Sequence, residues 1–169
     1  MSKVNMKNII IEGLDGTGKT TLCNYLAKEG YSSLHFTYSS CETNLFNKYK
    51  KLLMNATNLV MDRSFISEIV YGNILRGSCR LKKKEIDELI NICSQNNFIL
   101  IYLYASKLKL LKRVNDPVDY NLLLKYYHLL SEEYKKNIDN ISSFICVYKF
   151  CTNQMNLHKI VLEEIKYEI

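Results

Sequence analysis

A glycine-rich segment near the N-terminus has the residue types and spacing needed to hold phosphate groups. Residues 13–20 read GLDGTGKT and match the pattern G-x-x-x-x-G-K-[ST]. Its glycines allow backbone N–H groups to wrap an anion at the start of a helix. We expect Lys19 to reach the terminal phosphates of ATP and the Thr20 hydroxyl to bind Mg²⁺. The residues predicted to contact the phosphates are Gly13, Asp15, Gly16, Thr17, Gly18, Lys19, Thr20 and Thr21.

An acidic and a basic residue follow a later apolar run. Residues 58–62 (NLVMD) predict a strand that ends in Asp62, and Arg63 comes next. We expect Asp62 to hold Mg²⁺, through water, or to cap the following helix. The planar guanidinium of Arg63 suits a bidentate contact with a phosphate. The alternative for Arg63 is a surface ion pair with Asp62 or Glu68.

Predicted strands and helices alternate along the 169 residues. The strands are expected at 8–12, 33–38, 58–62, 98–104 and 143–150. The helices are expected at 18–29, 43–54, 64–75, 81–95, 107–113, 119–137 and 157–167, with Asp119 as the cap of the long one. This alternation predicts an α/β fold, with a mostly parallel sheet of about five strands between two layers of helices. The length suits one domain over 1–169.

Two segments resemble the thymidylate kinases, within the nucleoside monophosphate kinase family. Residues 12–21 (EGLDGTGKTT) are similar to their P-loop, and residues 62–71 (DRSFISEIVY) are similar to their DR motif, with Ser67 and Tyr71 at the expected spacing. Residues 103–114 more weakly resemble the region before a mobile lid. The resemblance implies the three-layer P-loop kinase fold, a short lid at about 113–120, and ATP and Mg²⁺ as cofactors. In its short length the chain resembles the shortened thymidylate-kinase-like proteins of phages and viruses.

The same resemblance implies roles for individual residues. Arg63 would bind the acceptor phosphate and Asp15 the acceptor sugar hydroxyl, although Asp15 could equally stabilise the turn. Ser67 and Tyr71 lie one helical turn apart and would contact the acceptor base. Arg113 would act on the phosphates as an arginine finger, with a solvated arginine at a helix end as the alternative. The predicted catalytic residues are Lys19, Arg63 and Arg113.

Aromatic residues near the same sheet edge are further candidates for the acceptor pocket. Phe36 and Tyr38 lie in the last residues of the second predicted strand, and Phe65 follows the DR pair. Each could stack on a base or simply fill the core. The predicted acceptor-binding residues are therefore Asp15, Phe36, Tyr38, Arg63, Ser67 and Tyr71.

Several positions depart from the family pattern. The family has an Arg-Glu-Pro stretch after the second strand, but residues 36–42 read FTYSSCE. Gly72 stands where the family has glutamine, and the lid has only Arg113. Arg76 and Arg80 are expected to be surface residues. The resemblance therefore predicts the type of reaction more firmly than the identity of the base.

The chemistry of the acceptor separates the candidate functions. A nucleoside monophosphate already offers an oxyanion near neutral pH, whereas a nucleoside hydroxyl needs a general base. In the stretch at the end of the second predicted strand and directly after it, residues 36–42, Glu42 is the only carboxylate. We expect ATP-dependent phosphorylation of a (deoxy)nucleoside monophosphate, with dTMP to dTDP first. The alternatives are a deoxynucleoside kinase with Glu42 as base, or a P-loop ATPase or nucleotide-binding module that acts on nucleic acid.

Composition bears on the charge of the ligand, on zinc binding and on the cellular location of the protein. The net charge of +6 suits a polyanionic ligand, or solubility alone. The six cysteines form no CxxC pair, which argues against zinc, and Cys93 and Cys146 are expected in the core. Without a signal peptide or a membrane-length apolar run, we expect a cytoplasmic protein (host cytoplasm if viral) with a small nucleotide as partner. The 119–137 helix could support a homodimer or pack in the core.

Overall fold

The computed structural model describes residues 6–37, 43–153, 161, 163 and 164. The strands are β1 (Asn8–Glu12), β2 (Ser32–His35), β3 (Leu59–Asp62), β4 (Phe98–Tyr104) and β5 (Cys146–Cys151). The helices are α1 (Lys19–Lys28), α2 (Leu45–Met54), α3 (Phe65–Tyr71), α4 (Lys83–Gln95), α5 (Lys107–Arg113) and α6 (Pro117–Ile141). A π-helical segment, Gly72–Arg76, continues directly from α3.

The five strands form one sheet in the order β2-β3-β1-β4-β5, and every neighbouring pair is parallel. The prediction of a five-stranded parallel sheet is confirmed. Because all strands run the same way, their carboxyl ends lie at one edge, where open sheets of this kind bind ligands. In this register Asp62 lies beside Ile11 on one side and His35 on the other. The P-loop and the DR pair therefore meet at this edge.

Both faces of the sheet are covered by apolar side chains. Ile9 and Ile11 of β1 pack with Leu22 and Leu26 of α1 on one face. Ile10 points to the opposite face and belongs to the larger cluster formed with α2, α3, α4 and α6. This alternation follows from the two-residue period of a strand. It explains why the three central residues of β1 are all isoleucine and confirms the three-layer arrangement.

Several predicted boundaries differ from the structure. β2 ends at His35, β5 begins at Cys146, and α3 ends at Tyr71 where the backbone changes to a π-helix. Most of the predicted helix 157–167 lies outside the described residues. The three residues of this range that the structure does describe, Val161, Glu163 and Glu164, are helical. Tyr38 and Glu42 also lie outside the described residues, so the structure does not test their predicted roles.

The long helix α6 begins earlier than predicted. Its N-cap is Asp116, whose carboxylate accepts hydrogen bonds from the backbone N–H groups of Val118 (2.9 Å) and Asp119 (3.0 Å). Pro117 fits the first helical position because the missing N–H would have no partner there. The prediction of Asp119 as the cap was wrong, and this residue lies in the first turn instead.

The described cysteines are all free thiols. Cys93 is buried in the core as predicted, but Cys146 is exposed because it lies on the edge strand β5. The prediction of Cys146 as a core residue was therefore wrong. Across residues 6–37 and 43–153, no helix combines the length and apolar character needed to cross a bilayer.

Candidate active site

The glycine-rich loop joins β1 to α1 in a conformation that its sequence requires. Gly13 has a φ of 145°, and a Cβ at this position would lie 2.2 Å from the carbonyl oxygen of Leu103. Only glycine fits that close approach. The Thr17 hydroxyl donates to the Leu14 carbonyl at 2.7 Å and holds the turn from inside. The exposed Thr20 and Thr21 begin α1 at the open side of the loop.

Lys19 is buried beneath this loop. Its Nζ donates to the Leu14 carbonyl at 3.0 Å and lies 3.9 Å from Asp15 Oδ1. Burial, together with the nearby charge of Arg63, lowers the pKa of Lys19 to about 8. A bound phosphate would favour the charged ammonium, because an opposite charge raises the pKa of a cation. A phosphate would therefore act in the same direction as Asp15, Asp62 and Glu12, whose charges raise the pKa of Lys19.

Arg63 directly follows β3 and turns its side chain toward the glycine-rich loop. It has a φ of 72°, which is uncommon outside glycine, and its N–H donates to the Ile11 carbonyl at 3.0 Å. The guanidinium donates to Asp15 and, at 3.3 Å, to Ser67 Oγ. It also lies over the ring of Tyr71, 5.1 Å from the centroid. Residues far apart in sequence thus hold Arg63 beside the loop.

Asp15 is the anionic partner in this arrangement. Its carboxylate accepts from Arg63 and, at 3.2 Å, from the hydroxyl of Tyr71. Burial would raise its pKa, but the charges of Arg63 and Lys19 outweigh burial and hold the pKa of Asp15 below its ordinary value. Asp15 therefore stays ionised and keeps Arg63 and Tyr71 next to the loop.

Glu12 is a buried carboxylate that the sequence-based site did not include. It accepts hydrogen bonds from the backbone N–H (2.7 Å) and hydroxyl (2.8 Å) of Ser64, and from the hydroxyls of Ser67 (2.6 Å) and Tyr134 (3.2 Å). Burial raises its pKa. Ser67, predicted to contact the acceptor base, instead lies in this buried cluster. The cluster connects the start of α3 to β1, and Ser67 in turn accepts a hydrogen bond from Arg63.

Asp62 and Thr20 form a pair suited to a magnesium ion. The Thr20 hydroxyl donates to Asp62 Oδ2 at 2.6 Å, and His35 Nδ1 lies 2.9 Å from the same oxygen. The other oxygen, Oδ1, is buried and has no hydrogen-bond partner among the described residues. Mg²⁺ prefers such oxygen ligands, so the residues present fit this ion. The alternative role of Asp62 as a helix cap is wrong, since Ser64 caps α3.

Arg113 at the end of α5 joins two loops. Its Nη1 donates to the Gly16 carbonyl at 3.3 Å and to Thr152 Oγ1 at 3.0 Å, and its Nη2 donates to the Thr152 carbonyl at 2.6 Å. The alternative of a solvated arginine is therefore wrong. Thr152 follows β5, so Arg113 connects the phosphate loop to the end of the sheet.

Aromatic rings form a second side of the site. Phe36, just after β2, packs against Tyr49 of α2 with ring centroids 5.3 Å apart and the ring planes tilted by 35°. Tyr49 meets Phe65 edge to face at 6.1 Å, and Phe65 is buried in the core. Phe36 is half-buried and is therefore, of Phe36 and Phe65, the candidate with an accessible surface.

Glu68 of α3 gathers two arginines that were expected at the surface. Its carboxylate accepts from Arg76 and from the backbone N–H (3.2 Å), Nε (3.1 Å) and Nη2 (2.8 Å) of Arg80. Burial would raise its pKa, but the hydrogen bonds and charges of both arginines hold the pKa of Glu68 below its ordinary value. Arg76 and Arg80 keep partly exposed side chains, as expected of surface residues, but both are also paired with the buried Glu68. No sequence signal predicted the π-helix that brings them back to Glu68.

Comparison with known proteins shows which family the chain belongs to. No family model matches the chain. A protein of Acidianus bottle-shaped virus (isolate Italy/Pozzuoli), provisionally named thymidylate kinase, is 30% identical over 132 residues, which cover 69% of this chain and 85% of that protein. The chain belongs to the thymidylate kinase-like family of P-loop kinases. It is accordingly a nucleotide kinase.

Solved structures of this family's fold are similar over nearly the whole chain. The YorR protein of Bacillus subtilis, in complex with phosphorylated GDP, superposes with a TM-score of 0.77 at 22% identity and covers 96% of this chain and 99% of its own. A deoxyadenosine kinase from M. mycoides with bound dCTP gives 0.61 at 18% identity, with 95% and 99% covered. The thymidylate kinase of Candida albicans gives 0.59 at 15% identity, with 96% and 92% covered. These likenesses show the fold.

Proposed function

We propose that the protein transfers the γ-phosphoryl group of ATP to a (deoxy)nucleoside monophosphate, with dTMP to dTDP as the first candidate. The observation that carries this proposal is the position of Arg63. Asp15 holds its guanidinium beside the glycine-rich loop, close enough for its charge to lower the pKa of Lys19. Two cations side by side in a buried site fit two anions, the end of a triphosphate and the phosphate of an acceptor.

The reaction follows from this placement. An oxygen of the acceptor phosphate forms a bond to the γ-phosphorus, the bond to the β,γ-bridging oxygen breaks, and ADP leaves. The acceptor oxygen needs no general base because the second pKa of a phosphate monoester is about 6, so this oxygen is already ionised near neutral pH. In the proposal, Arg63 holds the acceptor phosphate, and Lys19 neutralises charge on the group that moves. Catalysis then depends mainly on positioning and charge stabilisation.

Thr20 and Asp62 would hold Mg²⁺, with Asp62 binding through water. The ion would neutralise charge on the β- and γ-phosphates of ATP. The buried, unpartnered Oδ1 of Asp62 supports this assignment. His35 contributes by holding the other oxygen of the same carboxylate.

Other predicted contacts remain part of the proposal. Asp15, Phe36 and Tyr71 would surround the acceptor. Residues 113–120 would act as the lid and would bring Arg113 to the phosphates, since the link from α5 to α6 lies within this range. We also propose one kinase domain over 1–169 and a cytoplasmic setting. The exposed Leu124 and Leu129 of α6 are candidates for a homodimer contact.

The test is a panel of acceptors supplied with Mg·ATP, read out as ADP formation and as product by chromatography. The panel contains dTMP and the other deoxynucleoside monophosphates, the matching nucleosides, and an oligonucleotide. We expect dTDP from dTMP, and we expect Lys19→Ala to lower the rate at least about 10²-fold through lost charge stabilisation. Lys28→Ala, on the exposed last turn of α1, is the matched control and should keep wild-type activity.

Other results would identify another function. Phosphorylation of thymidine but not dTMP, lost in Glu42→Gln, would indicate a deoxynucleoside kinase. ATP hydrolysis stimulated only by the oligonucleotide would indicate an ATPase that acts on nucleic acid. Full activity in Lys19→Ala would mean that the measured turnover comes from a contaminant.

A further inference from the structure

A buried carboxylate beside the DR motif has no part in the proposed reaction. Glu12 is fully buried. Its Oε1 accepts hydrogen bonds from the backbone N–H and the hydroxyl of Ser64 (2.7 and 2.8 Å) and from the backbone N–H of Ser67 (3.3 Å). Its Oε2 accepts from the hydroxyls of Ser67 (2.6 Å) and Tyr134 (3.2 Å). Five donors around two oxygens suit an ionised carboxylate, which can only accept.

The charge of this carboxylate acts on the proposed phosphate site. Burial raises the pKa of Glu12, while the hydrogen bonds from the two serines and the charges of Arg63 and Lys19 act in the opposite direction. The charge of Glu12 in turn raises the pKa of Lys19. Glu12 therefore lies close enough to both cations of the site to interact with them electrostatically.

The hydroxyl of Ser67 connects Glu12 to Arg63. A serine hydroxyl has one proton to donate and two lone pairs that accept. Its 2.6 Å contact with Oε2 of Glu12 directs the proton of Ser67 toward the carboxylate. The lone pairs of Ser67 Oγ then remain for other donors, and Nη1 of Arg63 donates to this oxygen at 3.3 Å. An ionised Glu12 thus makes Ser67 an acceptor for Arg63.

Arg63 is held at both of its amino groups. Ser67 accepts from Nη1, and Asp15 accepts from Nη2. The guanidinium carbon also lies 5.1 Å from the centroid of the Tyr71 ring. A guanidinium has five N–H donors, so it can keep these contacts and still offer two donors to a phosphate. A group that is already oriented loses less freedom when its ligand binds, which strengthens binding.

We propose that Glu12 and Ser67 are positioning residues for the acceptor phosphate, with Glu12 orienting the Ser67 hydroxyl and Ser67 orienting Arg63. This inference rests on the proposed function and deepens it. Because Glu12 and Ser67 act through Arg63, their removal should weaken the binding of the acceptor and leave the binding of ATP nearly unchanged.

Two serines offer a matched pair of variants. Ser64 and Ser67 each donate a hydroxyl to Glu12, one at each carboxylate oxygen. Of the two, Ser67 is the one hydrogen-bonded to Arg63, whereas the Ser64 hydroxyl caps α3. If the buried cluster served only to hold α3 against β1, Ser64→Ala and Ser67→Ala would have similar effects.

The first experiment measures the KM for dTMP and for Mg·ATP in the wild type and three variants. We expect Ser67→Ala to raise the KM for dTMP about 10-fold, since a lost hydrogen bond to a charged group has an effect of that size. Glu12→Gln should act in the same direction, because an amide that donates to Ser67 turns the Ser67 proton toward Arg63. Ser64→Ala should keep this KM, and every variant the KM for ATP, within about threefold of wild type.

The second experiment observes Arg63 directly and needs no turnover. The chain has four arginines, so nitrogen-15 labelling of arginine gives a simple NMR spectrum, in which Arg63→Lys identifies the signals of Arg63. We expect slow rotation of the Arg63 guanidinium in the wild type and in Ser64→Ala. Rotation should be faster in Ser67→Ala, which leaves Asp15 as the remaining carboxylate partner.

Other results would overturn the inference. Equal changes in the KM for dTMP in Ser67→Ala and Ser64→Ala, or parallel changes for dTMP and ATP, would show that the cluster only supports the fold. These results would leave the monophosphate kinase itself intact. If the wild type phosphorylates no monophosphate, the proposed function fails. The rotation of Arg63 then still decides whether Ser67 orients it, and equal rotation in Ser67→Ala and wild type overturns that link.

Discussion

Charged side chains at the sheet edge depend on partners from distant parts of the chain. Asp15 of the phosphate loop holds Arg63 of the DR pair, and Glu12 of β1 accepts from the start of α3. Each carboxylate would be costly to bury alone, and each is surrounded by donors. The charge and the role of each of these side chains therefore depend on the partner that the fold brings to it.

At this scale, Glu68 should contribute stability that depends on pH. Its pKa in the folded protein lies below the ordinary value of about 4.5, so its contribution is present above that pH and is lost as the pH falls through the folded pKa. Glu68→Gln cannot ionise. We expect it to be less stable than wild type at pH 7, with a difference that shrinks below about pH 4.5 because protonated glutamate resembles glutamine.

Urea unfolding from pH 7 down to pH 3 measures this difference. Glu88→Gln is the matched control, since Glu88 forms an exposed ion pair with Lys50. Exposed pairs contribute about 0–1 kcal/mol, so the control should stay close to wild type throughout. A difference for Glu68→Gln that remains constant with pH would contradict the prediction.

Among the helices, α6 shows how local signals set the boundaries of an element. Asp116 and Pro117 provide an N-cap and a first helical residue, so the 25-residue helix begins where the chain leaves α5. Its inner face buries Leu123, Leu130, Tyr134 and Ile138 against the core. The Tyr134 hydroxyl reaches Glu12 and links the helix to the site.

Removal of this cap should weaken the helix. We expect Asp116→Ala to lower the free energy of unfolding by about 1 kcal/mol, because two backbone N–H groups lose their acceptor. In a thermal melt this corresponds to a shift of about 2–4 °C. Asp87→Ala, at an exposed position within α4, should change the melting temperature little. A shift for Asp116→Ala no larger than that of this control would show that the cap is not needed.

Over the whole molecule, Arg113 joins parts of the chain that are far apart in sequence. Its three hydrogen bonds connect the end of α5, the phosphate loop and the residue after β5. One side chain thereby links the glycine-rich loop to the residue after β5.

This connection should contribute to overall stability. We expect Arg113→Met to lower the free energy of unfolding by about 1–3 kcal/mol, because the partly buried carbonyls of Gly16 and Thr152 lose their donor. Urea denaturation measures the change. Lys112→Met removes an exposed charge next to it and should change stability by less than about 0.5 kcal/mol. Equal effects of the two substitutions would contradict the role of Arg113 as a link.

The sequence by itself determined the elements that depend on local pattern. The apolar run of β1, the glycine spacing of the phosphate loop and the alternation of strands and helices predicted the parallel sheet and the position of residues 13–20. These features follow from the backbone geometry and the side-chain period of short segments. The Asp-Arg pair at the end of β3 was identified from its resemblance to the DR motif of the family.

Only the tertiary structure decided which side chains meet. The pairing of His35 with Asp62 depends on strand register, and the return of Arg76 and Arg80 to Glu68 depends on a π-helix at Gly72. The position of Arg113 depends on how α5 packs beside the phosphate loop. Contacts between residues distant in sequence leave no local pattern, because they arise from the packing of complete elements.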